Sequence, residues 1–158
     1  VMDDGIPTGV ISTRDIMKWN DTYFKPAKPQ VLLIMDNNSG NFIARYIFEE
    51  NIENNFERNL IDLYGGAIQS VSFITDEIMA HSGPIVHLEK NNRSVLFEPF
   101  FEITGVLICD YNSIRLRRKL IQATHRFYEI YKEIIKMGAK SKGITRFLDI
   151  NPVLDVFA

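Results

Sequence analysis

The sequence predicts an α+β domain built on a five-stranded antiparallel sheet, with element order β-β-α-β-β-β-α-α. Three observations predict it. The runs Val31–Met35 and Ile103–Cys109 are apolar without alternation, which suits central strands covered on both faces or on one face plus a partner. Short strand patterns are joined by tight-turn signals, Asp36-Asn37-Asn38-Ser39-Gly40 and Asn91-Asn92, which suit hairpins rather than parallel crossovers. Two long stretches carry apolar residues at steps of three and four, the period of a helix with one buried face. The two most apolar strands, the first and the last, are expected side by side in the middle of the sheet.

The main pattern spans residues 30–158. Its first strand is Val31–Met35, and the Asn- and Gly-bearing turn after it leads to a second strand over Phe42–Phe48. A long helix is expected from Asn54 to Met79. Asn54 is its N-cap and Glu57, three residues on, the capping-box partner. Phe56, Leu60, Leu63, Ala67, Val71, Ile74 and Ile78 form its buried face. His81-Ser82-Gly83-Pro84 ends it. Three strands follow, over Ile85–Lys90, Arg93–Glu98 and Phe101–Asp110. Asn112 or Ser113 then caps a helix reaching Met137. Gly138 and Gly143 predict a break, and a last short helix is expected over Thr145–Phe157, where Pro152 is tolerable only near a helix start or a kink. Ahead of this domain, residues 20–29 carry two prolines and no apolar period, which reads as a linker. Residues 1–19 read as a strand and a short helix.

Composition narrows the function. Of 158 residues, 46% are apolar and 24% charged, a globular balance rather than a disordered one. The net charge of -2 excludes a generic nucleic-acid binder, which would be strongly basic. The single cysteine, Cys109, excludes an intrachain disulfide and a cysteine-based zinc site, and reads as a small core residue. No apolar run approaches the roughly 18 residues of a membrane span. Val1-Met2-Asp3-Asp4-Gly5 does not read as a signal peptide, so a reducing, cytoplasmic setting is expected.

Catalytic patterns are scarce. His81, His87 and His125 fall in a loop, a strand and a helix with no metal-ligand spacing, and His125 is expected on a solvated helix face. No phosphate loop, nucleophile elbow or dinucleotide fingerprint occurs, and Gly65-Gly66 lies inside a helix pattern rather than after a strand. No cofactor, no metal and no enzymatic activity are expected.

Over residues 30–158 the element order resembles the longin and roadblock domains that regulate small GTPases. The phrase Asn59-Leu60-Ile61 through Gly65-Gly66-Ala67-Ile68 is similar to their first-helix signature. Leu116-Arg117-Arg118-Lys119-Leu120, with Phe127 and Tyr131, is similar to the start of their closing helix. The resemblance implies a non-enzymatic interaction platform, a homodimer, with a small Ras-like GTPase as partner. Gly9-Val10-Ile11-Ser12-Thr13-Arg14-Asp15-Ile16 resembles the closing strand and helix of a CBS module. That resemblance implies adenine-nucleotide contacts from Ser12, Thr13 and Asp15, although only the tail of one module is present. An alternative reading is therefore a CBS-linked adenine-nucleotide sensor; another is a PAS-like small-molecule sensor.

Charge distribution points to surfaces. From Glu49 to Met79 there are seven acidic residues against one basic; from Ser113 to Lys142 there are nine basic against two acidic. Arg115, Arg117, Arg118 and Lys119 crowd the first turns of the closing helix, where the helix dipole opposes cations, so an acidic counterpart is expected. Arg115 and Arg118 are candidate partner-binding residues. On the first long helix Asp62, Gly66, Gln69 and Phe73 lie along one stripe outside the apolar arc. With Gly65 they form a second candidate contact, where glycine permits close approach and Phe73 supplies an anchor.

Overall fold

The computed structural model describes residues 2–3, 6–7, 26–48, 83–90, 93–141 and 147–158. The expected first helix and its stripe, together with residues 8–25, lie outside the described residues. At the N-terminus β1 (Met2–Asp3) and β2 (Ile6–Pro7) pair antiparallel, Met2 opposite Pro7.

The main sheet comprises β3 (Pro29–Asp36), β4 (Phe42–Ile47), β5 (His87–Lys90), β6 (Arg93–Phe100) and β7 (Ile103–Cys109). Its order is β4-β3-β7-β6-β5, with every neighbouring pair antiparallel. The two most apolar strands, β3 and β7, do sit together at the centre. The register aligns Leu32, Leu107 and Leu96 across β3, β7 and β6, and the next row aligns Leu33, Val106 and Phe97. Because side chains alternate, the first row faces one way and the second the other. Leu32, Ile34, Leu96, Ile103 and Leu107 join one buried cluster, while Val31, Leu33, Met35, Phe42, Phe97 and Val106 join another. This burial on both faces explains why the two central strands read as unbroken apolar runs.

A bulge between Ile34 and Met35 breaks the β3–β4 register and turns the consecutive residues Ile43 and Ala44 into the same cluster. It also leaves the Ile43 carbonyl to accept a bond from Leu148 N–H at 2.7 Å.

Helix α1 (Ile114–Ser141) is about 42 Å long at 1.5 Å per residue. Ser113 caps it, its Oγ accepting from Leu116 N–H at 3.5 Å. Leu116, Leu120, Ala123, Phe127 and Ile135 are buried against the first cluster. At Gly105 of β7 the helix comes so close that a Cβ there would collide with the Thr124 hydroxyl and stand 3.1 Å from Leu120 Cδ1.

Several boundaries differ from the sequence reading. The helix runs through Gly138 to Ser141, because Gly138 is buried in the helix rather than placed after it. The expected helix over Thr145–Phe157 is a 3-10 segment over Asn151–Phe157, with Pro152 in its first turn. Strand β7 starts at Ile103 because Phe101 and Glu102 form a turn. At the other end of the domain, Lys28 N–H donates to Asp110 Oδ1 at 2.9 Å and Pro29 stands opposite Cys109, so the sheet reaches into the segment read as linker.

The last segment runs back along α1. Tyr131 donates to Asp149 O at 2.8 Å, Arg126 grips Asp155, and Lys119 Nζ donates to Ala158 O at 2.9 Å. Val153 is fully buried beneath it.

Candidate functional site

The start of α1 meets the edge strand β5. Arg117 Nη2 donates to the Val86 carbonyl at 3.2 Å, and the same carbonyl accepts from Phe97 N–H at 3.1 Å, extending the ladder by one residue. Ile114 lies one helical turn before Arg117 and Arg118, hence on the same face. It is 75% exposed, a high value for an isoleucine, and Val86 is 54% exposed. Leu88 on β5 is also exposed. Arg115 and Arg118 are exposed on the same first turns. Leu88 stands opposite Val95 and Val86 opposite Phe97, on the face of the second cluster, so these two side chains point away from α1, while Ile114 and the arginines lie on the α1 side, alongside a strand whose outer edge pairs with nothing among the described residues.

Among the described residues the crowded cations meet mainly backbone carbonyls. Arg117 and Lys119 are held by backbone carbonyls, of Val86 and Ala158, and Arg126 farther along by the Asp155 carboxylate. Loss of solvent, then the neighbouring Arg115 charge, lower the Lys119 pKa, and its Nζ donates to Ala158 O. Arg115 and Arg118 have no carboxylate partner among the described residues. Asp62, Gly65, Gly66, Gln69 and Phe73, and likewise Ser12, Thr13 and Asp15, lie outside the described residues.

A second cluster was not read from the sequence. At the β6–β7 turn Phe101 has φ 50° and is 72% exposed. Its ring stacks on Tyr128 at 5.2 Å and meets Phe100 edge-on at 4.7 Å. Tyr128 donates to Glu102 Oε2 at 2.8 Å. His125 stacks on Phe100 at 3.8 Å with Nε2 3.2 Å from Glu98 Oε1, so it is partnered rather than simply solvated. Asn37, from the β3–β4 turn, clamps this one: its N–H donates to Glu102 O at 2.9 Å and its Nδ2 to Phe101 O at 3.0 Å. Its Oδ1 in turn accepts from Thr104 Oγ1 at 2.7 Å. The paired phenylalanines before an acidic residue were the available signal, but the absence of glycine or asparagine hid the turn.

Cys109 is buried in β7, where loss of solvent, then the Asp110 charge, push its thiol up to about 12. Among the described residues no cluster of three or more His, Cys, Asp or Glu side chains is arranged to hold a metal. Nor is any helix among them long and apolar enough to cross a membrane.

No family model matches this chain, and no curated protein matches it. Among solved structures it is similar to MglB of Myxococcus xanthus, at 20% identity over 67% of this chain and 79% of that one, with a TM-score of 0.47.

Proposed function

We propose that the chain is a longin/roadblock-type interaction platform that binds or regulates a small Ras-like GTPase, acts by binding rather than by turnover of its own, and works as a homodimer. The observation that carries an interaction role is the surface at the start of α1. There Ile114 is exposed beside Arg115 and Arg118, which have no carboxylate partner among the described residues. An apolar anchor beside guanidinium groups fits a partner surface of hydrophobic and acidic side chains. The edge of β5, unpaired among the described residues, offers backbone donors and acceptors to a second strand, which is the route we assign to self-association. The GTPase as partner rests on the resemblance of the element order and of the Leu116–Tyr131 phrase. Within that phrase Leu116, Leu120 and Phe127 form the face of α1 packed on the sheet.

The test is a pull-down of purified Ras-like GTPases, loaded with GDP or a non-hydrolysable GTP analogue, on the immobilised chain. Capture that depends on the loaded nucleotide and is lost in Arg115→Glu/Arg118→Glu supports the reading. Capture by neither loaded form, or equal capture by the double variant, refutes it. Both arginines are exposed, so the double variant retains the fold.

A further inference from the structure

We propose that the Phe101 turn is a docking point for a basic segment of another protein, whose arginine or lysine side chain lies on the outer face of the Phe101 ring and against the Glu102 carboxylate. This surface is separate from the basic one at the start of α1 and does not rest on the GTPase reading.

The ring is built to be presented. Phe100 pairs with Ile103, so Phe101 and Glu102 form a two-residue hairpin loop. Only the first of them has a positive φ, the position where such loops take glycine. A phenylalanine held there at φ 50° is strained, and the strain is sustained by Asn37, whose main chain and side chain grip the carbonyls of both loop residues. The inner face of the ring lies on Tyr128 and its edge on Phe100, which leaves the outer face to solvent. A fixed aromatic with one open face loses little side-chain freedom when it binds.

The surrounding charge selects the occupant. Burial, the bond to Glu102 and the charges of Glu102, Glu129 and Glu133 push the Tyr128 phenol up to about 12, so its proton stays on the bond to Glu102. Lys132 pairs with Glu129 at 3.3 Å and His125 with Glu98. Glu102 and Glu133 have no basic partner among the described residues. A ring face carries negative quadrupole density, so ring and carboxylates both favour a cation. An acidic segment would be repelled.

The test is a titration of the 15N-labelled full chain with a blocked hexa-arginine peptide, followed by amide shifts, beside a blocked hexa-glutamate peptide. Saturable shifts centred on Phe101 and Glu102, given by the arginine peptide alone, are the expected result. Phe101→Gly suits the observed φ and should weaken binding about two- to fivefold. Glu102→Gln, which keeps an acceptor for the Tyr128 hydroxyl, should weaken it as well. Shifts spread over other acidic surfaces, or unchanged affinity in both variants, would overturn the proposal.

Discussion

Arg126 Nη1 reaches both carboxylate oxygens of Asp155, at 2.7 and 2.8 Å, and so fastens the final 3-10 segment to the middle of α1. The bond holds the Asp155 carboxyl below its ordinary value of 3.8. A depressed carboxylate stabilises the fold above its unfolded pKa, and that contribution is lost as the pH falls through the folded value. Asp155→Asn should therefore lower the melting temperature slightly at neutral pH. The difference from the parent chain should begin to shrink as the pH falls below 3.8 and vanish only at the lower pH where the folded-state carboxyl is itself protonated. A difference that persisted at low pH would assign the effect to something other than the ion pair.

Gly105 supplies the closest approach of α1 to the sheet. Gly105→Ala should destabilise the fold by about 1–3 kcal/mol in urea titration, since the Thr124 hydroxyl and Leu120 must give way. Adding Thr124→Ala should recover part of the loss. Equal stability of Gly105→Ala and the parent would mean that the helix yields freely.

The Cys109 thiol should be inert in the folded protein. Raised to about 12, it stays protonated throughout the physiological range, and it is fully buried. Labelling with a chromogenic disulfide should be slow in buffer, independent of reagent concentration, and fast in denaturant. A rapid reaction in buffer that rises with reagent concentration would contradict the buried position.

We propose that the domain folds without its N-terminal residues, with the boundary before Lys28 rather than after Pro29. A chain of residues 26–158 should melt cooperatively. One of residues 30–158 should melt at a lower temperature, because it loses the Lys28 bond to Asp110 and the Pro29 position in β3. Identical melts for the two chains would place the boundary later.

The centre of the sheet was legible because β3 and β7 are apolar on both faces, which few other elements are. The α1 start was legible through Ser113, and its buried face through the spacing of Leu116, Leu120 and Phe127. Its end was not, because Gly138 signals a stop by propensity, while here it is part of a packed face. Of the candidate surface, Arg115 and Arg118 are singled out by their unfavourable place in the helix dipole. The acceptors of Arg117 and Lys119 were invisible, since a backbone carbonyl carries no sequence signature. Phe101 was missed for a similar reason: its left-handed φ is imposed by Asn37, which is 64 positions away in the chain.

The bulge at Ile43 has a consequence for how the sheet can grow. Leu148 N–H already occupies the Ile43 carbonyl on the outer side of β4, and Phe157 rests against Phe48 just beyond that strand. One margin of the sheet is thus obstructed by the chain's own tail, while the β5 margin is open among the described residues. A sheet with a single usable margin has a valence of one for strand addition. It can be extended once and then terminates, whereas fibril growth needs a free margin on each side.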